Sequence, residues 1–298
     1  VNPLEAPTTS ALALCDVDAA LVGVWDDTRR QAVAAALRDA QASEPQAHRV
    51  TAVLGLRVEE WRAMVGQTCA LAQSGGRAPA EPVAACLRRR LAGLRGLCAE
   101  LRPAWLCGDA GLWHFGRRER GHMLLLPPVL IAEAVAPMAE GIAALRAATG
   151  LEVLPENPPG TAFVGDLHLL EFFARVAEAA DTGLLLDCAH LAMYQRLAGH
   201  APHDGLDHLP WDRVIELHVA GGRERETGGF RWIEDEHGPE LLPDTWAIAQ
   251  LALERASNLR AVVVECERNP IAAVLPLFAR VAAALPARLK AVPKDRPA

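Results

Sequence analysis

TGLLLDCAHL, residues 182–191, carries the pattern on which the fold is read. Three leucines, Leu184 to Leu186, run straight into Asp187, and His190 follows three residues later. A short unbroken apolar run reads as a strand buried on both faces, as in a parallel sheet. Working outward, comparable runs recur at 11–15, 21–25, 50–54, 104–107, 152–155, 184–187, 214–218 and 261–264. Helical patterns, with apolar residues three and four apart, fill most of the gaps: 29–41, 58–73, 80–101, 128–149, 166–181, 241–257 and 271–285. Eight strand candidates alternating with helices predict an α/β protein with a parallel sheet. That count and the chain length favour a closed (β/α)8 TIM barrel over an open doubly wound sheet. One domain is expected over residues 1–298, with 1–10 and 287–298 peripheral. Only five residues separate 11–15 from 21–25, too few for a crossover helix, so either the first unit is irregular or one of these runs is not a strand.

Composition narrows the function classes. Apolar residues make up 51% of the chain and aromatics only 5%, which suits Ala- and Leu-rich helices packed around short strands. A net charge of -7 gives no electrostatic reason to bind nucleic acid or anionic lipid. The basic run Arg88-Arg89-Arg90 reads as a solvated helix face. The seven cysteines are scattered without a CxxC pair, so neither a disulfide framework nor a thiolate zinc site is expected. A reducing cytoplasm fits that pattern. The start VNPLEAPTTS lacks a charged and then apolar leader, and prolines and Glu133 interrupt the most apolar stretch, 123–139, so no membrane segment is expected.

The chemistry collects where the late strands end. The run 152–155 leads into Glu156 and Asn157, 184–186 into Asp187 with His190, 214–217 into His218, and 261–264 into Glu265; Asp235 and His237 follow in the DEHG segment. Strand ends converge on one face of a barrel, so these heads would meet around one centre. Acids and imidazoles gathered out of water need a cation among them, and carboxylate with imidazole suits iron, manganese or zinc. More side chains are offered than one ion needs, which predicts more than one metal. Taken singly, an acid after a strand is as readily a helix N-cap or a surface charge. Arg223, Arg225 and Arg231, in the stretch after Gly221-Gly222, read as a loop that holds a substrate carboxylate or faces water. His114, His122, His168, His200, His203 and His208 read as solvent-facing.

Five motifs in order, VLPENPP (153–159), LLLDCAHL (184–191), IELHVAGG (215–222), DEHG (235–238) and VVECERNP (263–270), resemble the multinuclear non-heme iron-dependent oxidases, the family of the methanobactin-biosynthesis oxidase. GHMLLLPP (121–128) is similar to that family's leucine-proline segment, and HRVTAVLG (48–55) to its HGVGLSLG motif. The resemblance implies a TIM barrel with two or three non-heme irons, mixed Fe(II) and Fe(III), that uses dioxygen to modify a cysteine or other residue of a ribosomally made precursor peptide. A small partner protein often presents that peptide. Carried over position by position, the metal ligands are His48, Glu156, Asp187, His190, His218, Asp235, His237 and Glu265, with Asp187, His190 and Glu265 at the catalytic positions. Asn157 and Arg223 are the candidate substrate contacts.

Three positions depart from the family. His190 stands where Asn is usual. GDAGLW (108–113) matches the segment SEHLAW but puts Ala110 at the histidine, leaving Asp109 or His114 as substitutes, and Gly222 replaces a second histidine. These losses leave open a dinuclear site. They also keep two other readings in play: a metal-dependent hydrolase or isomerase of the xylose isomerase type, and a degenerate barrel that binds peptide as a scaffold.

Overall fold

The computed structural model describes residues 93–111, 127–267 and 269–290. His48, His114, His122 and the strand candidates at 11–15, 21–25 and 50–54 lie outside them. The described chain opens with helical residues 93–101 and continues with β1 (Trp105–Asp109), β2 (Val129–Leu130), α1 (Ala132–Thr149), β3 (Glu152–Glu156), β4 (Val164–Gly165), α2 (Leu169–Ala180), β5 (Leu184–Asp187) and α3 (Cys188–Ala198). After two single-turn 3-10 helices come β6 (Val214–Thr227), β7 (Phe230–Gly238), α4 (Pro243–Arg255), β8 (Ala261–Glu265), α5 (Ile271–Ala284) and the short α6 (Ala287–Lys290).

Strands β1, β3, β5, β6 and β8 pair in that order, each parallel to its neighbour. This is a curled, parallel-rich sheet, a half-barrel with helices on its outer face. Among the described residues it does not close into the eight-stranded ring expected from the sequence. All five parallel strands fall where apolar runs placed them. β2 and β4 form a separate two-stranded pair that is too short to show as a run.

Side-chain alternation sorts each strand between the helix layer and the concave side. Leu184, Leu186, Leu217 and Val219 lie in the main core with α2 residues such as Leu169, Phe172, Phe173 and Val176. Leu154, Leu185 and Ile215 form a small cluster against Trp105 on the opposite side. Phe172 and Phe173 are almost fully buried, and truncating either to Ala costs about 3–5 kcal/mol.

One irregularity aims the site. β5 pairs Leu184 with Val214 but Leu185 with Glu216, so Ile215 is an extra residue in β6, a β-bulge. Val214 stays in the main core, Ile215 joins the small cluster, and Glu216 and His218 both turn to the concave side. Without the extra residue, alternation would put Val214 and His218 on one face.

β6 runs on past the parallel sheet and turns back as β7, antiparallel from Gly222↔Asp235 to Thr227↔Phe230. The stretch after His218 is therefore a hairpin and not the loop its glycines suggested. Arg196 on α3 anchors the arm, donating to Glu224 (2.7 Å) and to Asp244 at the start of α4 (2.9 Å). α3 itself escaped the periodicity reading, because it starts at Cys188 directly off β5 and is buried on most sides, which leaves no polar face to count.

Candidate metal centre

The concave ends of the strands bring together Asp109 (β1), Glu156 (β3), Asp187 (β5), His218 (β6), Asp235 and His237 (β7), Glu265 (β8) and His190 from the first turn of α3. Glu156, Asp187 and His218 are buried and each offers a ligand atom within 4.8 Å of the others; Asp109, Glu156 and His190 do the same. His218 Nδ1 stands 3.2 Å from Glu156 Oε1, 3.3 Å from Glu265 Oε1 and 3.9 Å from Asp187 Oδ2. His190 Nε2 is 3.3 Å from Asp235 Oδ2, which in turn is 3.2 Å from His237 Nε2, and His237 Nε2 is 3.7 Å from Glu265 Oε2. Seven of the eight proposed ligands thus meet in one cluster. The eighth, His48, lies outside the described residues.

Local structure explains how each is held. Asp187 is wholly buried and caps α3, its Oδ1 accepting from the His190 backbone N–H at 2.7 Å. Asn157 stitches β3 to β5: its Nδ2 donates to the Asp187 carbonyl (3.0 Å) and its Oδ1 accepts from the Asp187 N–H (2.9 Å). Buried and bonded this way, its side chain fixes β5 at Asp187. His237 sits at φ 49°, a left-handed conformation uncommon outside glycine, and its carbonyl accepts from Asn269 Nδ2 at 2.6 Å. Strained backbone of this kind clusters at functional sites. Arg223 lies on the hairpin, 60% exposed, paired with Glu236 at 2.6 Å.

Each histidine also has one ring nitrogen engaged from outside the carboxylate cluster. His190 Nδ1 lies 2.9 Å from the Asn157 carbonyl, His218 Nε2 3.3 Å from Glu216 Oε1, and His237 Nδ1 2.9 Å from Glu267. A carbonyl has no proton to give, so His190 Nδ1 carries one and Nε2 is the nitrogen left for a metal. That outweighs the 3.7 Å approach of Nδ1 to Asp109. The nitrogens turned inward are then His190 Nε2, His218 Nδ1 and His237 Nε2, each beside a carboxylate.

The electrostatics are those of acids and imidazoles held close together out of water. Burial, then the negative field of Glu156, pushes the Asp109 carboxyl up to about 7. Burial pushes Asp187 up to about 6, with the His190 ring opposing and Glu156 adding. Burial works against protonating His218, but its contacts with Glu156, Glu216 and Glu265 hold its pKa far above the imidazole range. His237 is raised to about 9, chiefly by its hydrogen bond to Asp235. Burial would raise Asp235 too, yet the two histidines beside it hold it well below the usual carboxylate value. Protons on imidazoles thus compensate the carboxylates, and a bound cation would displace them. Asp187 Oδ2, His218 Nδ1, Asp235 Oδ1 and Glu265 Oε2 are buried and make no hydrogen bond. Orphaned buried polar atoms are costly unless something binds them, and carboxylate and imidazole atoms aimed at one another are a ligand set for a hard or borderline divalent metal.

Two of the three departures, Ala110 and Gly222, resolve differently. Ala110 is fully buried in the main core, its N–H on the Glu156 carbonyl at 3.1 Å, while Asp109 beside it turns inward. The acid, weighed as a substitute for the missing histidine, is the group delivered to the centre. At Gly222 a Cβ would fall 2.6 Å from Ile233 Cγ2, so the hairpin is closed over the place of the second histidine.

A family model described as RiPP precursor modification enzyme MbnB/TglH/ChrH matches residues 81–285. The chain belongs to this family. Its curated relatives include a UPF0276 protein of Anaeromyxobacter sp. (strain Fw109-5), 29% identical over 179 residues, 59% of this chain and 60% of the relative. Others are UPF0276 proteins of Acaryochloris marina (strain MBIC 11017), 36% identical over 85 residues (28% and 29%), and of Caulobacter sp. (strain K31), 30% over 135 residues (44% and 48%). The chain spans 60% or less of the length of each of these relatives. The match takes in β1 through α5, the same residues that build the cluster. Among the described residues no helix is long and apolar enough to cross a membrane.

Sequence reasoning passed over the outer partners Glu216 and Glu267, and it read His168 as solvent-facing. His168 is instead the N-cap of α2, its Nδ1 accepting from the Leu170 N–H at 3.1 Å, with its ring stacked on His200. The signal available was position: a histidine directly before an amphipathic run.

Proposed function

We propose that the protein is a multinuclear non-heme iron oxidase that uses dioxygen to modify a cysteine of a ribosomally made precursor peptide. The reading is carried by one observation, the cluster of buried carboxylate and imidazole atoms left without hydrogen bonds at the strand ends, and family membership supports the peptide substrate. Glu156, Asp187 and His218 would hold one iron, and His190, Asp235 and His237 a second, with Glu265 between them and His48 completing the set from the N-terminal half. Iron with an open coordination position supplies oxygen binding and electron transfer.

The chain's own residues do the rest. Asp187 would hold the metal through its second oxygen, while Oδ1 fixes the start of α3 and so the His190 ring. Asn157 holds β3 and β5 in register. Arg223, exposed at the base of the hairpin, would take the peptide, presented by a small partner protein. A closed (β/α)8 ring over one domain, in the cytoplasm, is the frame we infer.

The test is metal analysis of freshly purified protein, with oxygen uptake followed on adding a cysteine-bearing precursor peptide. Wild type is expected to carry iron and consume oxygen, and Glu156→Ala and Asp187→Ala to lose both. Full iron content in both variants would overturn the ligand assignment. Metal-dependent turnover without oxygen uptake would favour a hydrolase, and failure to retain iron after anaerobic loading a peptide-binding scaffold.

A further inference from the structure

We propose that Glu216 is a positioning residue of the metal centre, anchored by Trp105 and holding the Nε2–H of His218 so that Nδ1 faces Glu156, Asp187 and Glu265. The proposal rests on the metal-centre reading. Glu216 is a buried glutamate near the start of β6, in its buried stretch, where an apolar residue would be expected. The β-bulge at Ile215 turns it to the concave side with His218. Its two oxygens have separate tasks. Trp105 Nε1 donates to Oε2 at 2.6 Å, and Oε1 lies 3.3 Å from His218 Nε2.

An indole N–H only donates, so the Trp105 contact fixes the carboxylate as acceptor, and the ring nitrogen facing Oε1 is the one that keeps its proton. Nδ1 is then the nitrogen that a metal would take, displacing its proton. It is buried without a hydrogen bond, 3.2 Å and 3.3 Å from Glu156 and Glu265. Neither candidate metal group includes Glu216. It is the outer carboxylate of a carboxylate–histidine–metal arrangement, which fixes the tautomer and direction of the ring.

The test compares wild type with Glu216→Ala, Glu216→Gln and Trp105→Phe, using Zn(II) as a diamagnetic probe and Fe(II) under anaerobic conditions, each titrated against a competing chelator. Glu216→Ala is expected to weaken metal binding about 10- to 100-fold. Trp105→Phe should weaken it less, and Glu216→Gln, which keeps an oxygen for Nε2–H, should recover most of the loss. Imidazole 15N spectra of the Zn(II) form should show His218 bound through Nδ1 with a slowly exchanging Nε2–H, lost in Glu216→Ala. Unchanged affinity together with unchanged His218 exchange in that variant would overturn the proposal. If wild type took up neither metal, the metal reading would fall, and exchange of the Nε2–H in metal-free protein would decide on Glu216 alone: protected in wild type and lost in Glu216→Ala upholds its hold on the ring, equal exchange overturns it.

Discussion

Replacing Asp187 by Asn separates the two tasks of its carboxylate, because they fall on different oxygens. Oδ1 caps α3, and an amide oxygen can accept the same His190 N–H. Oδ2 is buried, faces His218 Nδ1 at 3.9 Å and makes no hydrogen bond. In the metal-free protein the charge on that oxygen is a burden. Raising a carboxyl from 3.8 to about 6 costs the ionised form roughly 3 kcal/mol at neutral pH. A folded-state value above the unfolded one means that this group favours the fold below about pH 4, and that the benefit is lost as pH rises through 6. Asp187→Asn removes the penalty and keeps the cap, so the metal-free variant should be as stable as wild type or more stable at pH 7.5, by up to about 3 kcal/mol. That is roughly 2–4 °C in Tm per kcal/mol recovered. Near pH 4 the advantage should vanish. Asp187→Ala loses the cap as well, about 1 kcal/mol, and should melt below Asp187→Asn at both pH values. Both variants should take up far less iron. The assay is thermal melting of chelator-stripped protein at the two pH values beside ferrous titration. If metal-free Asp187→Asn melted well below wild type while binding iron normally, Asp187 would be a structural anchor and the ligand assignment wrong.

Gly222→Ala puts a Cβ against Ile233, which packs with Ala189 and Met193 under the hairpin; urea unfolding should show a loss of about 1–3 kcal/mol. His168 is held neutral by its burial, with the neighbouring His200 and His208 rings adding to the effect, so its pKa lies below the ordinary imidazole value. Its contribution is present above about pH 6.5 and lost as pH falls below it, and His168→Asn, which keeps an N-cap acceptor, should flatten that acid-side loss in a stability-against-pH profile. Arg223→Ala breaks an exposed ion pair, so stability should stay within about 1 kcal/mol and iron content should not change; if Arg223 holds the peptide, KM rises while kcat is kept, and an unchanged KM removes it from the substrate site.

The parallel strands were legible because each is an apolar run too short for a helix, and β3, β5 and the start of β6 are buried on both faces. The residues of the cluster were legible for a related reason: an acid or histidine that ends such a run has only the strand-end face to occupy. The same logic failed where a residue's direction is not fixed by its place in a run. Gly221 and Gly222 looked like a loop, yet here glycine marks close backbone approach within a hairpin; a Cβ on Gly221 would sit 2.4 Å from the carbonyl oxygens of Gly238 and Glu240. α3 was missed because burial on most sides erased its period.

The bulge at Ile215 is the more instructive case. Strict alternation through Val214, Ile215, Glu216, Leu217 and His218 puts His218 on the same side as Val214, in the helix layer, and a reader trusting period two would have discarded it as a ligand. Position at the strand end retained it, and one extra residue in β6 reconciles the two. That residue also brings Glu216 inward, so the irregularity that places the ligand places the group that orients it. Asp109 follows the opposite course. Resemblance drew attention to Ala110 and its missing imidazole, but Ala110 belongs to the core, and β1 presents Trp105, Cys107 and Asp109 by alternation. A substitution at a ligand position therefore says little until the direction of the strand is known. Here the neighbouring acid already faces the centre, and the N-terminal half of the site need not be as poor in ligands as its sequence suggests.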